Sequence, residues 1–323
     1  MKAAVITEAG KAPVYGDFGE PVAGEGEELI SVRASALSHF SKSRAMGSHY
    51  SSDGGLPAVA GVDGVGMTQD GRRVYFAMPE SPFGALGERC PVRSKLCLEL
   101  PASLDEVTAA AIANPGMSAW AALVERAHLV AGETVLVNGA TGTAGRLAVQ
   151  LAKYLGAAKV IATGRNAEEL EDVKRLGADS VIAFALDERS PTGARNYEEA
   201  LKAEFATGID VVTDYLWGQS AKTIIVAIAK VVDDGRPVRF VHVGGSSGED
   251  IELPGAALRS SAIVLMGSGV KSVPLPVLLQ SVRKVFEAVG PAGLTIATAV
   301  APLSEVEAMW ETAPGRPRLV FTI

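Results

Sequence analysis

Three small residues with the spacing used for phosphate binding lie near the middle of the chain. Ala140, Gly142 and Gly145 form an A-x-G-x-x-G pattern, between the short apolar run 135–137 and a segment with apolar residues at helical spacing. A helix that begins at a glycine turn holds a diphosphate, because its backbone N–H groups and the positive end of its dipole face the anion. The residues expected to contact a dinucleotide here are Ala140, Thr141, Gly142, Thr143, Ala144 and Gly145.

The end of the second predicted strand, 159–163, distinguishes between the two nicotinamide dinucleotides. NAD favours an acid roughly 20 residues after the glycines, to bind the ribose 2′-hydroxyl, whereas arginine suits the 2′-phosphate of NADP. Gly164, Arg165 and Asn166 occupy this place, and the first acid is Glu168. A guanidinium binds a phosphate through two charge-assisted hydrogen bonds. The sequence therefore predicts NADPH near these three residues, with a structural turn and a solvated Arg165 as the alternative.

The elements around this turn predict two kinds of architecture. Short apolar runs separated by Gly, Pro and Asp fill the chain up to about Pro101 and predict a compact, mostly antiparallel β domain. A helix from Leu104, with Ser103 as its N-cap, and a second helix from Ser118 are expected next. After the glycine turn, strands and helices alternate, which predicts a doubly wound parallel sheet.

Composition limits the function classes. The chain has 323 residues, enough for two domains, with 48% hydrophobic and 21% charged residues, as in globular proteins. Its net charge of −7 argues against a nucleic-acid or anionic-membrane partner. Cys90 and Cys97 are expected to be reduced thiols in a cytoplasmic protein without a signal peptide. The apolar run 224–232 is interrupted by Lys230 and is too short to span a bilayer.

Several segments in a fixed order make the chain resemble the medium-chain dehydrogenase/reductase superfamily, and within it the zinc-free quinone oxidoreductase group. These segments are residues 1–5, 56–66, 71–74 and 116–120, the glycine turn followed by 155–156, and 176–179. The resemblance implies an α/β fold in which a Rossmann domain is inserted in a GroES-like, mostly-β catalytic domain. The expected boundaries are 1–117 for the first part of the catalytic domain, 118–270 for the NADPH-binding domain and 271–323 for the return segment.

The same resemblance bears on metal binding. Zinc-dependent members carry a Cys at the place of Ser38, a His-Glu pair at Val62 and Asp63, and a further Cys near Asn114. This chain supplies at most Asp63, whereas zinc requires three or four ligands. The histidines are scattered without ligand spacing, at His39, His49, His128 and His242. We therefore expect no metal.

Further site residues are implied by the resemblance. Val243, Gly244 and Gly245 end a strand at the place where relatives contact the nicotinamide side of the cofactor. Phe184 stands where many NADPH-using relatives have a tyrosine near the 2′-phosphate, with a core aromatic as the alternative. Ser118 is expected to bond the cofactor or to cap a helix.

The candidate catalytic residues are Ser38, which lines the expected cleft with Ser41 and Asp63, and Tyr50, a hydroxyl donor or a packing residue. Relatives often have Asn at the place of Ser38 and Asp at the place of Ser41.

The resemblance implies hydride transfer from NADPH to a quinone or an α,β-unsaturated carbonyl without metal. Such acceptors are already electrophilic and need placement and hydrogen-bond donors more than a Lewis acid. Two alternatives remain: an enoyl-thioester reductase, for which Lys42 and Arg44 are candidate phosphate contacts, and a non-enzymatic NADPH-binding structural or regulatory protein. A homodimer is expected through the apolar segment 260–269, which starts at Ser260 and ends at Gly269, because a free apolar edge strand invites pairing.

Overall fold

The structure is a computed structural model that describes residues 1–45, 55–186, 191–312 and 316–323. The chain divides into two compact units. The split unit contains Met1–Asn114, Val282–Glu287 and Thr295–Ile323, and the parallel-sheet unit contains Pro115–Ser281 and Ala288–Leu294. The expected return segment, 271–323, is thus divided between the units, because Val273 and Leu278 pack against Ala121 of the parallel-sheet unit.

The first part of the split unit is built from short strands, as its Gly- and Pro-punctuated apolar runs predict. Its strands are β1 (Lys2–Ile6), β2 (Val14–Asp17), β3 (Glu27–Ala36), β4 (Ala58–Val59), β5 (Asp63–Met67), β6 (Arg73–Ala77), β7 (Arg89–Arg93) and β8 (Cys97–Glu99). A short helix, α1 (His39–Ala45), follows β3, and a single 3₁₀ turn covers Ser94–Leu96.

One long helix replaces the two that the sequence predicted before the glycine turn. Helix α2 (Glu106–Trp120) continues through Pro115 into a π-helical segment, Ala121–Arg126. Its first turn is held by Asp105, whose Oδ1 accepts the Thr108 N–H at 2.8 Å, so Ser103 is not the cap. Ser118 lies inside α2 and therefore cannot cap a helix.

By length and composition, the helical stretch Glu106–Arg126 could cross a membrane. Of the 18-residue window that is apolar enough, 67% is buried inside the protein, as is usual for a core helix.

The parallel-sheet unit alternates strands and helices. Its elements are β9 (Thr134–Asn138), α3 (Thr143–Tyr154), β10 (Lys159–Gly164), α4 (Ala167–Arg175), β11 (Ser180–Ala183), α5 (Pro191–Phe205), β12 (Val211–Asp214), α6 (Gly218–Val231), β13 (Pro237–His242), α7 (Gly255–Arg259) and β14 (Ala262–Gly267). All strand pairs are parallel, in the order β11-β10-β9-β12-β13-β14. This order defines a doubly wound Rossmann sheet whose switch point lies between β9 and β12. The predicted α/β fold is confirmed.

The C-terminal part of the chain completes the split unit. It contains α8 (Leu275–Ala288), β15 (Thr298–Pro302), a 3₁₀ turn at Leu303–Glu305, α9 (Val306–Thr312) and β16 (Arg318–Thr322). Strand β16 pairs antiparallel with β3, so the main sheet runs β15-β16-β3-β5-β6-β8, with β7 also paired to β3. A smaller sheet has the order β2-β1-β4. The core beneath these sheets includes Trp310, Phe321 and Leu86, which are at most 1% exposed.

Candidate cofactor-binding site

The glycine turn is fixed to the second strand of the parallel sheet. Gly139 has a φ of +84°, in the region that favours glycine, and its N–H donates to the Thr163 carbonyl at 3.1 Å. The Ala140 N–H donates to the same carbonyl at 2.9 Å. Helix α3 then begins after Gly142, where no side chain caps it. The turn therefore places an uncapped helix N-terminus at the carboxyl edge of the sheet, where anions bind.

The two later glycines of the pattern meet different surroundings. A Cβ on Gly145 would lie 2.3 Å from the Gly139 carbonyl oxygen and 2.7 Å from the Ala140 Cα, so only glycine lets α3 pack this close to the turn. A Cβ on Gly142 would meet only the Gly139 oxygen, at an ordinary 3.5 Å. Gly142 is itself exposed, so the space that its missing side chain leaves is open to a ligand. This cradle fits a diphosphate.

Alanine at these two positions is expected to separate folding from binding. Gly145→Ala should lower the melting temperature by several degrees, because backbone atoms must move away from the new Cβ. Gly142→Ala should leave the melting temperature within about 2 °C and weaken NADPH binding by about tenfold or more. Thermal unfolding and calorimetric titration of both variants check this pair. Equal losses of stability in the two variants would contradict the interpretation of Gly142.

The residue that follows β10 is the cation Arg165. Arg165 is exposed and makes no hydrogen bond or ion pair with the residues that the structure describes. Gly164 is buried, and a Cβ there would lie 2.9 Å from the Thr141 Cγ2, so this glycine brings β10 next to the turn. The Asn166 Oδ1 accepts the N–H groups of Glu168 and Glu169 at 3.0 and 3.2 Å, which makes Asn166 the N-cap of α4.

Arg146 connects the turn with α4, a role that the sequence did not reveal. Its Nε donates to the Thr141 carbonyl at 3.1 Å, and its Nη2 donates to the Glu169 carbonyl at 3.3 Å. The same guanidinium lies 3.6 Å from the Asp172 carboxylate and is only 12% exposed. The sequence signal for this role was that a charged residue directly follows Gly145, the last glycine of the pattern. Its contacts hold the glycine turn against the helix that follows β10.

A buried polar network lies at the switch point. Asp214, at the end of β12, is fully buried and accepts the Asn138 Nδ2–H at 2.7 Å. Its carboxylate also accepts the N–H groups of Leu216 (3.1 Å) and Trp217 (3.0 Å), and Thr163 Oγ1 donates to Asn138 Oδ1 at 2.7 Å. These bonds join the carboxyl ends of β9, β10 and β12 and fix the loop after β12.

The turn after β13 is fastened to the same place. The Val243 and Gly244 N–H groups donate to the Asp214 carbonyl at 2.7 and 3.2 Å. Ser246 Oγ donates to the Tyr215 carbonyl at 2.7 Å, so the loop after β13 runs alongside the loop after β12. Gly245 is exposed. The structure thus brings these residues to the edge that carries the glycine turn.

Three other predicted site residues have different surroundings. Phe184 is 6% exposed, and its ring packs 4.7 Å from that of Tyr197 in the core, which matches the alternative of a core aromatic. Ser118 is half-buried within α2. Tyr50, with the rest of 46–54, lies outside the described residues.

In the split unit, Ser38 is engaged with a neighbouring hydroxyl. Its Oγ lies 2.8 Å from Ser41 Oγ and accepts the Ser41 N–H at 2.8 Å, which holds the start of α1. Both side chains are buried. A cavity of about 220 Å³ in this unit is lined by Ser41, Arg44 and mostly apolar residues, among them Leu56, Val62 and Phe83.

Asp63 belongs to a buried cluster that the sequence did not reveal. Its Oδ2 accepts the Tyr75 hydroxyl at 3.0 Å, whereas Oδ1 has no hydrogen-bond partner among the described residues. Arg318 is buried nearby, and its Nε and Nη2 lack partners in the same part of the chain. Burial raises the pKa of Asp63 to about 6, against the opposing effects of the Arg318 charge and the Tyr75 hydrogen bond. Burial also lowers the pKa of Arg318.

These residues do not fit a zinc site. Val62 has no ligating atom, Ser38 is bonded to Ser41, and the Asp63 carboxylate is bonded to Tyr75. Within the described ranges, no three His, Cys, Asp or Glu residues are grouped as a metal would require.

Comparison with known proteins identifies the family and several relatives of the chain. The zinc-binding dehydrogenase family profile matches residues 144–289, a range that excludes Ser38, Val62, Asp63 and Asn114. A probable NADPH-dependent quinone reductase of Emericella nidulans is 27% identical over 357 residues, covering 96% of each chain. The chloroplastic NADPH-dependent alkenal/one oxidoreductase of Arabidopsis thaliana is 33% identical over 210 residues, 56% of this chain and 54% of that protein.

Among solved structures, the quinone oxidoreductase of Thermus thermophilus, determined also as its complex with NADPH, is 25% identical. It matches with a TM-score of 0.81 over the whole of both chains. Together, these relatives identify the chain as an oxidoreductase. The chain belongs to the medium-chain dehydrogenase/reductase superfamily, in its quinone oxidoreductase-like group.

Proposed function

We propose that this protein is an NADPH-dependent reductase of quinones or α,β-unsaturated carbonyl compounds that works without a metal. The observation that carries the proposal is the open space at Gly142, together with the exposed Arg165, which pairs with no described residue. Arginine at this place favours a 2′-phosphate, and the related proteins of Emericella and Arabidopsis are described as NADPH-dependent.

In this proposal, the main task of the protein's residues is to bind the cofactor and the acceptor and to orient them for hydride transfer. NADPH supplies the hydride when bound. The turn at Gly142 and the first turn of α3 would hold the diphosphate, and Arg165 would hold the 2′-phosphate. Ser38 and Tyr50 remain the proposed catalytic hydroxyl groups. Nothing in this arrangement needs a ligand set for zinc.

Turnover with purified protein tests the proposal. We expect oxidation of NADPH, followed at 340 nm, on addition of a simple quinone or enone, with NADH a much poorer donor. Prior dialysis against a chelator should leave the rate unchanged, because the residues described hold no ligand set for a metal. A rate that is lost on chelation and restored by zinc would contradict the metal-free proposal, and binding of neither dinucleotide would contradict the cofactor.

The alternative of an enoyl-thioester reductase has weaker support. A phenolphthiocerol/phthiocerol polyketide synthase subunit of Mycobacterium tuberculosis is 29% identical over 245 residues, but only 11% of that protein is covered. The quinone reductase match covers 96% of both chains. These same relatives support an oxidoreductase rather than a non-enzymatic NADPH-binding protein. A reduced, cytoplasmic setting fits the two free thiols, Cys90 and Cys97.

We further propose that two copies pair through β14. This strand ends the parallel sheet, and no described strand pairs with its outer edge. Two apolar side chains of this strand are exposed, Val264 by 46% and Leu265 by 38%. Proteins ordinarily cover an apolar edge strand of this kind. A second copy supplies the complementary edge about a two-fold axis, because the same strand then meets itself antiparallel.

A charge placed on β14 is expected to separate the two copies. Val264→Lys should sediment as a monomer, because pairing would bury the charge of this lysine against the second copy of β14. Val300→Lys is the matched control, since Val300 is an exposed valine on β15, an edge strand of the other sheet, and should leave a dimer. Sedimentation velocity distinguishes the two. A monomeric wild type, or a Val264→Lys dimer, would contradict pairing through β14.

A further inference from the structure

The order of the strands sets the direction in which a bound dinucleotide must extend. The diphosphate cradle lies at the end of β9, and Arg165 marks the adenosine side at the end of β10. Strands β12 and β13 lie on the opposite side of β9. A dinucleotide crosses the switch point along the carboxyl edge, so its second half extends over the ends of β12 and β13.

His242 ends β13 at this place, directly beside Asp214 in the parallel register. Its Nδ1 lies 3.4 Å from the Asp214 Oδ2. Asp214 is fully buried and is itself held by Asn138 and by the N–H of Trp217. A carboxylate fixed in this way sets the tautomer and the orientation of an imidazole.

The indole of Trp217 packs against the same ring from another direction. The ring centroids of Trp217 and His242 are 4.4 Å apart, with an interplanar angle of 40°. Trp217 has φ +58° and ψ −151°, a backbone conformation that is costly for any residue except glycine. The Asp214 carboxylate accepts its N–H in this conformation. Such strain is found chiefly at ligand clamps and active sites.

One nitrogen of His242 is left for a ligand. The side chain is 36% exposed, and Nε2 has no hydrogen bond with any residue that the structure describes. In the neutral imidazole one nitrogen donates and the other accepts. In the neutral tautomer that directs Nδ1–H at Asp214, Nε2 is the acceptor.

We propose that His242, oriented by Asp214 and packed against Trp217, accepts a hydrogen bond at Nε2 from the nicotinamide-riboside half of the cofactor. A ribose hydroxyl and the carboxamide NH₂ are the donors that this half offers. The inference rests on the proposed function, since it requires the dinucleotide to be bound at the glycine turn. It adds a residue that positions the reactive end of the cofactor to those that bind its phosphates.

Binding of a whole and a truncated ligand tests this contact. NADPH carries the second ribose and the nicotinamide, whereas adenosine 2′,5′-bisphosphate lacks both and keeps the 2′-phosphate. His242→Phe retains a ring for Trp217 to pack against and loses the acceptor, and His242→Gln retains an acceptor oxygen. His128→Asn is the control, because His128 is exposed and its φ of +49° is tolerated by asparagine.

Calorimetric titration of these variants should show a change in the Kd for NADPH but not in the Kd for the bisphosphate. In His242→Phe we expect the Kd for NADPH to rise about three- to tenfold, the worth of one hydrogen bond, and the Kd for the bisphosphate to stay unchanged. His242→Gln should lose less, and His128→Asn should match wild type. Equal weakening of both ligands, or no change in either, would overturn the role of His242. Failure of wild type to bind either ligand would instead overturn the proposed function.

Discussion

Replacing Arg165 with alanine is expected to weaken NADPH binding by about 10- to 100-fold and to leave NADH binding nearly unchanged. The reason is that the guanidinium is exposed at the end of β10 and is not engaged by any described residue, so its charge is available to a 2′-phosphate. NADH lacks that phosphate. Dissociation constants of both dinucleotides, measured by calorimetry for wild type and variant, check this prediction.

Arg175→Ala serves as the matched control for this change. Arg175 is 73% exposed near the other end of α4 and pairs with Asp172, so its removal alters the net charge by the same amount. It should leave both constants within about twofold of wild type, because its charge is largely screened at that distance. A similar weakening in the two variants would mean that general charge, and not a contact at Arg165, governs affinity.

Of the substitutions proposed here, Asp214→Asn is expected to destabilise the protein most. The free energy of unfolding should fall by about 3 kcal/mol, which lowers the melting temperature of the parallel-sheet unit by about 10 °C. Both carboxylate oxygens face N–H donors, from Asn138, Leu216 and Trp217. An asparagine must turn its NH₂ toward some of these donors, and a fully buried donor without a partner is costly. Differential scanning calorimetry measures the shift.

Asp210→Asn provides the comparison on the same loop-and-strand segment. The Asp210 Oδ2 accepts the Thr134 N–H at 2.8 Å and Oδ1 pairs with Arg236, but the side chain is 19% exposed, so water can replace part of what is lost. We expect a loss of about 1 kcal/mol there. The prediction for Asp214 would be wrong if both variants unfolded at the same temperature.

The parts of the site that depend on local pattern could be predicted from the sequence. The pattern Ala140–Gly145 spans the turn after β9 and the first residues of α3, as expected, because strand, glycine and helix signals are all carried by neighbouring residues. Arg165 follows β10 for the same reason. The boundaries of α2 were wrong because Pro115 usually ends a helix, whereas here the helix continues through it within a buried environment.

Contacts between distant segments could not be predicted in this way. Asn138 and Asp214 are far apart in the sequence and meet only because β9 and β12 are neighbours in the sheet. Arg318 comes near Asp63 only because β16 pairs with β3. Nothing in the local pattern around His242 or Trp217 indicates that their rings are in contact. Long-range pairing of strands decides each of these contacts.

The pairing of β16 with β3 also affects how the chain is made. The strands of the parallel-sheet unit come from one continuous stretch, so this sheet can form while the protein is still on the ribosome. The main sheet of the split unit cannot close until Arg318–Thr322 has emerged, and until then β3 keeps an open edge. During synthesis, therefore, the sheet of the parallel-sheet unit can be complete while the main sheet of the split unit still waits for β16, and its unpaired edge is exposed for that time.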